Sequence, residues 1–259
     1  MAILEKIVGH KAREVDQKKK QISLETLANR SFSPVRPFAP ALKKEGISVI
    51  AEMKRQSPSG GLLNPQLDPC TMAQYYQSGG ADAVSVLTDR VFFGGSIHDI
   101  PVVKKVTNLP ILRKEFIIDE YQLFESRAVG ADAVLLIRRI LPLSRLRRFL
   151  KTAKDLELSC LVEVHTPNEL KDVLMAGAEI IGINNRNLDT LEIDLRHSVE
   201  LKPLIPDGMI TVSESGIKTR EEVRLLEEAG FDAILVGEVL MKADHPGRMI
   251  QKLKGKEVG

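Results

Sequence analysis

Glu52 and Lys54 stand two residues apart at the end of the apolar run Ser48 to Ala51, in the stretch "SVIAEMKRQSPSGG". In an extended chain, residues i and i+2 point to the same face. A carboxylate and an ammonium therefore share one side of a strand end, where they can move protons or meet a substrate anion. Asn184 and Arg186 in "GINNRN" repeat the spacing. Three more apolar runs carry or end in polar groups: Arg113 and Lys114 in "ILRKEF", Glu163 in "LVEV", and Glu214 with Ser215 in "VSESG". Burying unpaired charge costs on the order of several kcal/mol per ion. Five strands carrying such groups at one end point to a working mouth rather than to five separate structural ion pairs.

The elements that must hold these groups are visible as a repeat. "GGADAVSVL", "GADAVLLI", "GAEIIGI" and "GFDAILVG" begin at Gly79, Gly130, Gly177 and Gly230, about 50 residues apart. Each has a glycine suited to end a helix, an acidic or small linker and then a β-branched or aliphatic run. The interval is twice one strand–helix unit, so another strand belongs between each pair. Ile47–Met53, Pro110–Arg113, Ser159–Val164 and Met209–Ser213 are those strands. Helical periodicity marks Tyr121–Val129, Ser144–Leu156, Asn168–Ala176 and Arg220–Ala229. Eight strands alternating with helices imply a parallel sheet with right-handed crossovers. A closed (β/α)8 barrel carries that count, and so does a doubly wound open sheet. Residues 1–46 do not join the repeat. Leu4, Ile7 and Val8 suggest an amphipathic helix, and "SFSPVRPFAPAL" reads as an irregular connector. The expected division is a helical extension over 1–46, packed on a catalytic barrel over 47–259.

Composition excludes several classes. The chain has 259 residues, 43% hydrophobic and 28% charged, with a net charge of +2, as in an ordinary globular protein. The small net charge and 4% aromatic content argue against nucleic acid. No apolar run reaches the ~18 residues of a membrane helix. Glu5 and Lys6 interrupt what a signal peptide would need, so a cytoplasmic protein is expected. Cys70 and Cys160 lack a C-x-x-C partner, and the five histidines form no H-x-H or H-x-x-x-H pair, so no metal site is expected.

The loops after the strands add anion chemistry. "SPSGG" after the first strand is either a plain connector or a lid that brings Ser57 to an anion. Gly216 in "SESGIKT" and Gly237 in "LVGEVLM" follow strands seven and eight, where barrels frequently bind phosphate. Phe92 and Phe93 either line a ring pocket or plug the second loop, and His165 reads as a polar rim residue.

Taken together, "IAEMKRQSPSGG", "SVLTDRVFFGGS", "PILRKEFIIDEYQLFESRAVGADAVLLI", "LVEVHT", "IGINNRNLDTLEIDL" and "VSESGI" resemble the indole-3-glycerol phosphate synthase family from about Ile47 to the C-terminus. The resemblance implies a (β/α)8 barrel that converts 1-(2-carboxyphenylamino)-1-deoxyribulose 5-phosphate into indole-3-glycerol phosphate, carbon dioxide and water, without cofactor or metal. By the same resemblance Lys114 is the general acid, and Glu163 handles the proton of dehydration. Glu52 and Lys54 position each other, while Asn184, Glu214 and Ser215 complete the catalytic wall. Arg186 faces the carboxylate; Ser57, Gly216, Gly237 and the backbone of Glu238 hold phosphate; Phe93, Phe116 and Leu135 line the ring pocket. A monomer is expected, with association to other tryptophan-pathway enzymes possible. Two other readings are a phosphoribosylanthranilate isomerase, which needs no paired Glu52 and Lys54, and a silent phosphate-binding barrel, which needs no Glu163.

Overall fold

Period-two alternation decides which residues of each strand meet the barrel axis and which meet the helices. The computed structural model describes residues 3–187 and 190–256. In it the strands β1 (Ser48–Met53), β2 (Ala83–Leu87), β3 (Ile111–Lys114), β4 (Ala133–Ile137), β5 (Ser159–Val164), β6 (Ile180–Asn184), β7 (Ile210–Glu214) and β8 (Ala233–Val236) close into a parallel barrel. β1 closes it by pairing with β8 on one side, Ser48 opposite Ala233, and with β2 on the other, Glu52 opposite Ser85. The open-sheet alternative is thereby set aside. Residues 1–2 and 257–259, the outer ends of the two expected segments, and 188–189 of "NNRNLDT" lie outside the described residues.

Ile50, Ala83, Leu112, Ala133, Leu161, Ile180, Val212 and Ala233 form the inner apolar cluster. Their strand neighbours Val49, Val84, Ile111, Val134, Val162, Ile181 and Ile234 join the outer cluster beneath the helices. β3 and β7 each run one residue further than the sequence suggests, so Lys114 and Glu214 are the last strand residues and keep strand alternation.

The repeated acidic linker works at the foot of the barrel. Asp82, Asp132 and Asp232 each precede an even-numbered strand and accept the backbone N–H of Val49, Ile111 and Thr211 at the start of the preceding odd strand, at 2.9, 2.8 and 2.7 Å. These donors would otherwise be unpaired ends of a buried ladder. One carboxylate per strand pair thus fixes the register at three places.

Three helices precede β1: α1 (Ile3–Gln21), α2 (Leu24–Ala28) and α3 (Phe38–Leu42). α3 corrects the expectation of an irregular connector. Pro40 falls in its first turn, where a missing N–H costs nothing because no intrahelical acceptor exists there. Phe38 and Leu42, 1% and 0% exposed, plug the bottom of the inner cluster. α1 buries Ile7, Lys11 and Val15. Among the described residues no helix is long and apolar enough to cross a membrane.

Candidate active site

Ile50, Leu112, Leu161, Gly182 and Val212 face the barrel axis, so Glu52, Lys114, Glu163, Asn184 and Glu214, two residues later on the same strands, must face it too. They do, at the C-terminal end. Lys114 Nζ lies 2.8 Å from Glu214 Oε2 and 3.3 Å from Glu52 Oε2, and Lys54 Nζ lies 2.7 Å from Glu52 Oε1. The result is an alternating row, Lys54–Glu52–Lys114–Glu214, with Glu163 near enough to add its field to Lys114 and Glu214.

Two glycines make room for this row. A Cβ on Gly182 would stand 2.2 Å from Glu214 Oε1, and one on Gly237 would stand 2.5 Å from Glu52 Oε1 and 3.1 Å from Lys54 Nζ. Any side chain at either place would displace a charged group.

Burial and charge pull the row in different directions. For Glu52 burial opposes ionisation, but Lys54 and Lys114 outweigh it and draw the carboxyl down to about 2. For Glu214 burial dominates; Lys114 pulls downward, Glu163 and Glu52 push upward, and the carboxyl rises to about 7. Burial also opposes the charge on Lys114, yet Glu214, Glu52 and Glu163 overcome it and hold the ammonium above its ordinary range. One carboxyl is thus firmly ionised and its neighbour is poised near neutrality.

The cavity above this row is lined by Glu52, Lys54, Ser57, Phe93, Lys114, Phe116, Leu135, Glu163, Asn184, Arg186, Ser215, Gly216, Gly237 and Glu238, while Glu214 lies beneath Lys114, fully buried. The rings of Phe93 and Phe116 face each other at 5.9 Å on one side. Phe92 instead meets His10 of α1, edge-on at 5.8 Å. On the other side Ser215 and Gly216 both adopt positive φ, 69° and 87°. A Cβ on Gly216 would come 2.3 Å from Ile193. Glu238 turns its carboxylate to Lys242 at 2.6 Å, leaving its backbone at the mouth. The "SPSGG" loop is a small hairpin, Gln56–Ser57 pairing with Gly61–Leu62, in which Ser57 Oγ accepts the N–H of Gly60 at 2.9 Å.

Two expectations need correction. Arg113 is not at the mouth: because Lys114 faces in, Arg113 must face out, where it is fully buried and bonded to Glu125 at 2.7 Å and Ser126 at 2.9 Å. His165 is not an exposed rim residue. It is 8% exposed, with Nε2 3.4 Å from Glu163 and Nδ1 3.6 Å from Glu169, and it faces a neighbouring cavity.

Other residues escaped the sequence reading. Asn185 donates from Nδ2 to Ser213 Oγ and to the carbonyls of Glu214 and Ser215 at 3.0 to 3.1 Å, and so ties the end of β6 to the end of β7. Arg186, expected at the mouth, lines it and donates from Nη1 to the Leu191 carbonyl at 3.1 Å. Ile3, Leu4 and Ile7 of α1 reach the cavity wall. Among the described residues no group of three or more histidines, cysteines or carboxylates is arranged to hold a metal ion.

A closed barrel with acid–base groups at the strand C-termini and glycine loops after strands seven and eight defines a (β/α)8-barrel enzyme. The family model described as indole-3-glycerol phosphate synthase matches residues 4–253. The chain is 45% identical over 257 residues to the indole-3-glycerol phosphate synthase of Endomicrobium trichonymphae, covering 97% of this chain and 99% of that one. It is 46% identical to the protein of the same name from Thermoanaerobacter pseudethanolicus, covering 93% and 92%. A solved 3-hexulose-6-phosphate synthase from Salmonella typhimurium, 14% identical, matches with a TM-score of 0.66 over 81% of this chain and 97% of that one, a likeness of fold alone. The chain belongs to the indole-3-glycerol phosphate synthase family.

Proposed function

We propose that this chain carries out the reaction its family is named for: decarboxylating ring closure and dehydration of 1-(2-carboxyphenylamino)-1-deoxyribulose 5-phosphate to indole-3-glycerol phosphate, with release of carbon dioxide and water. It is a carboxy-lyase of tryptophan biosynthesis. The observation that carries the reading is the Lys114 ammonium, held between Glu52 and Glu214 at the floor of the cavity. The cavity offers an aromatic pair on one side and glycine loops on the other.

The chemistry follows from the groups present. The ring carbon bearing the carboxylate attacks the substrate ketone, and negative charge grows on the carbonyl oxygen. Lys114 gives that oxygen a proton. Loss of carbon dioxide restores the aromatic ring. The new hydroxyl then leaves as water with a proton from the recharged Lys114, while Glu163 takes the proton that the adjacent carbon gives up. Glu214, poised near 7 and 2.8 Å from Lys114, is placed to return a proton to the spent amine. Glu52 holds Lys54 and Lys114 apart, with Lys54 toward a substrate anion. Arg186 and Asn184 take the carboxylate end, and Phe93, Phe116 and Leu135 take the ring. Ser57, Ser215, Gly216, Gly237 and the backbone of Glu238 take the phosphate.

Within this reading, residues 1–46 serve as an extension packed on the catalytic barrel of 47–259, and the chain works as a cytoplasmic monomer, free to associate with other tryptophan-pathway enzymes. The test is Lys114→Met. Removing the ammonium leaves Glu52 without one of its partners and costs about 3–5 kcal/mol of stability, so kinetics are compared below the variant's melting transition. Turnover falls at least about 10²-fold while substrate still binds. Near-wild-type turnover contradicts the role of Lys114.

A further inference from the structure

Lys11 is a lysine where α1 should carry an apolar residue. It stands in the stripe Leu4, Ile7, Lys11, Val15 that faces the barrel, and only 1% of it is exposed. Its Nζ lies 2.8 Å from Glu14, 3.0 Å from Asp89 Oδ2 and 3.0 Å from Glu115 Oε1. A buried ammonium is costly unless each proton finds a partner. Here three carboxylates surround it.

Asp89 and Glu115 each do a second job. Asp89 Oδ1 accepts the backbone N–H groups of Phe92 at 2.7 Å and Phe93 at 3.3 Å, capping the short turn that carries both rings. Glu115 Oε1 accepts the N–H of Phe116 at 2.8 Å. The two carboxylates on Lys11 are therefore the ones that fix the backbone beneath Phe93 and Phe116. Among the described residues no hydrogen bond of good geometry reaches Asp89 Oδ2, so Lys11 is the group set against it.

The clamp is braced from behind. Glu115 Oε2 accepts from Thr88 Oγ1 at 2.8 Å and faces Arg113 at 3.6 Å; Arg113 pairs with Glu125, Glu125 with Lys18 at 2.9 Å, Lys18 with Glu14 at 3.0 Å, and Glu14 with Lys11. This closed ring of charges runs from α1 to the end of β3 and back. It also accounts for Arg113 behind the wall. Burial opposes the charge on Lys11, but Glu115, Glu14 and Asp89 more than offset it, so the Lys11 ammonium stays charged across the physiological range.

We propose that Lys11 is a positioning residue for substrate selection: its ammonium ties α1 to Asp89 and Glu115 and thereby sets where the contacting Phe93 and Phe116 rings stand in the cavity wall, against which an aromatic ring packs. This rests on the proposed function for the identity of the ring and the place of the phosphate. The residue acts through others and touches no reacting atom.

Lys11→Met, which keeps the length and fills the apolar slot, tests it. With the carboxyphenylamino substrate, KM rises about tenfold while kcat stays within about threefold, and inhibition by inorganic phosphate, which the proposed function places at the glycine loops on the opposite side, is unchanged. An unchanged KM, or equal weakening toward phosphate, overturns the proposal. A second readout needs no turnover. The chain has no tryptophan, so Phe93→Trp places a single indole in that wall. Adding Lys11→Met should raise its acrylamide quenching at least about twofold as the wall loosens, and unchanged quenching overturns the proposal. If the wild type fails to turn over the substrate, the proposed function falls and quenching alone decides the clamp. If Lys11→Met does not fold, Asp89→Asn, which keeps the cap but weakens the ion pair, is read the same way.

Discussion

At the scale of single residues, Glu52 and Glu214 flank one ammonium and are pushed in opposite directions. Glu52 faces two ammoniums and falls from 4.5 to about 2; Glu214 is buried, with Glu163 near it, and rises from 4.5 to about 7. The consequences for stability differ in sign. Glu52, depressed on folding, stabilises the fold above pH 4.5, and that contribution disappears as pH falls toward 2. Glu214, raised on folding, binds more protons folded than unfolded between pH 4.5 and 7, so its ionisation costs stability as pH rises through that window. Urea denaturation from pH 5 to 7.5 should show a downward slope that Glu214→Gln flattens. A slope unaltered by the substitution would mean that Glu214 does not titrate there. These roles were partly legible in the sequence: the i, i+2 spacing put Glu52 with Lys54 and Asn184 with Arg186. Alternation could also have sent Arg113 outward once Lys114 was placed inward. What the sequence did not show was which carboxyls Lys114 would choose, because its partners Glu52 and Glu214 come from strands 62 and 100 residues away along the chain.

At the scale of elements, the barrel is closed at its foot by α3. Its short "FAPAL" sequence was hidden by prolines, since a proline in a first turn and one in a loop look alike before the capping geometry is known. The strands themselves were legible because four copies of one phrase announced them. Their ends were not, and the one-residue extension of β3 and β7 is what brings Lys114 and Glu214 inside. α1 carried a readable signal in Lys11, a charge on an apolar stripe, but two of its three partners follow β2 and β3. Phe38 makes the closure testable. It is 1% exposed within the inner cluster, so Phe38→Ala should cost about 3–5 kcal/mol in urea denaturation. Because the plug is at the opposite end from the acid–base row, kcat/KM of the folded variant should stay near wild type. A loss under about 1 kcal/mol would mean α3 adds little to the core.

At the scale of the whole molecule, the two ends of the barrel divide the work. The foot holds strand-pairing aspartates and an apolar plug, while the mouth holds charges that a core would avoid. Gly182 and Gly237 show how far the fold yields to the mouth, since both strand and loop omit side chains to seat Glu214 and Glu52. The absence of tryptophan from the chain gives the most direct measurement a dark background. On adding 1-(2-carboxyphenylamino)-1-deoxyribulose 5-phosphate to the wild-type protein, indole fluorescence should rise in step with carbon dioxide, one for one. Saturable binding of the substrate without either product would contradict the synthase reading and leave a barrel that binds the phosphorylated substrate but does not transform it.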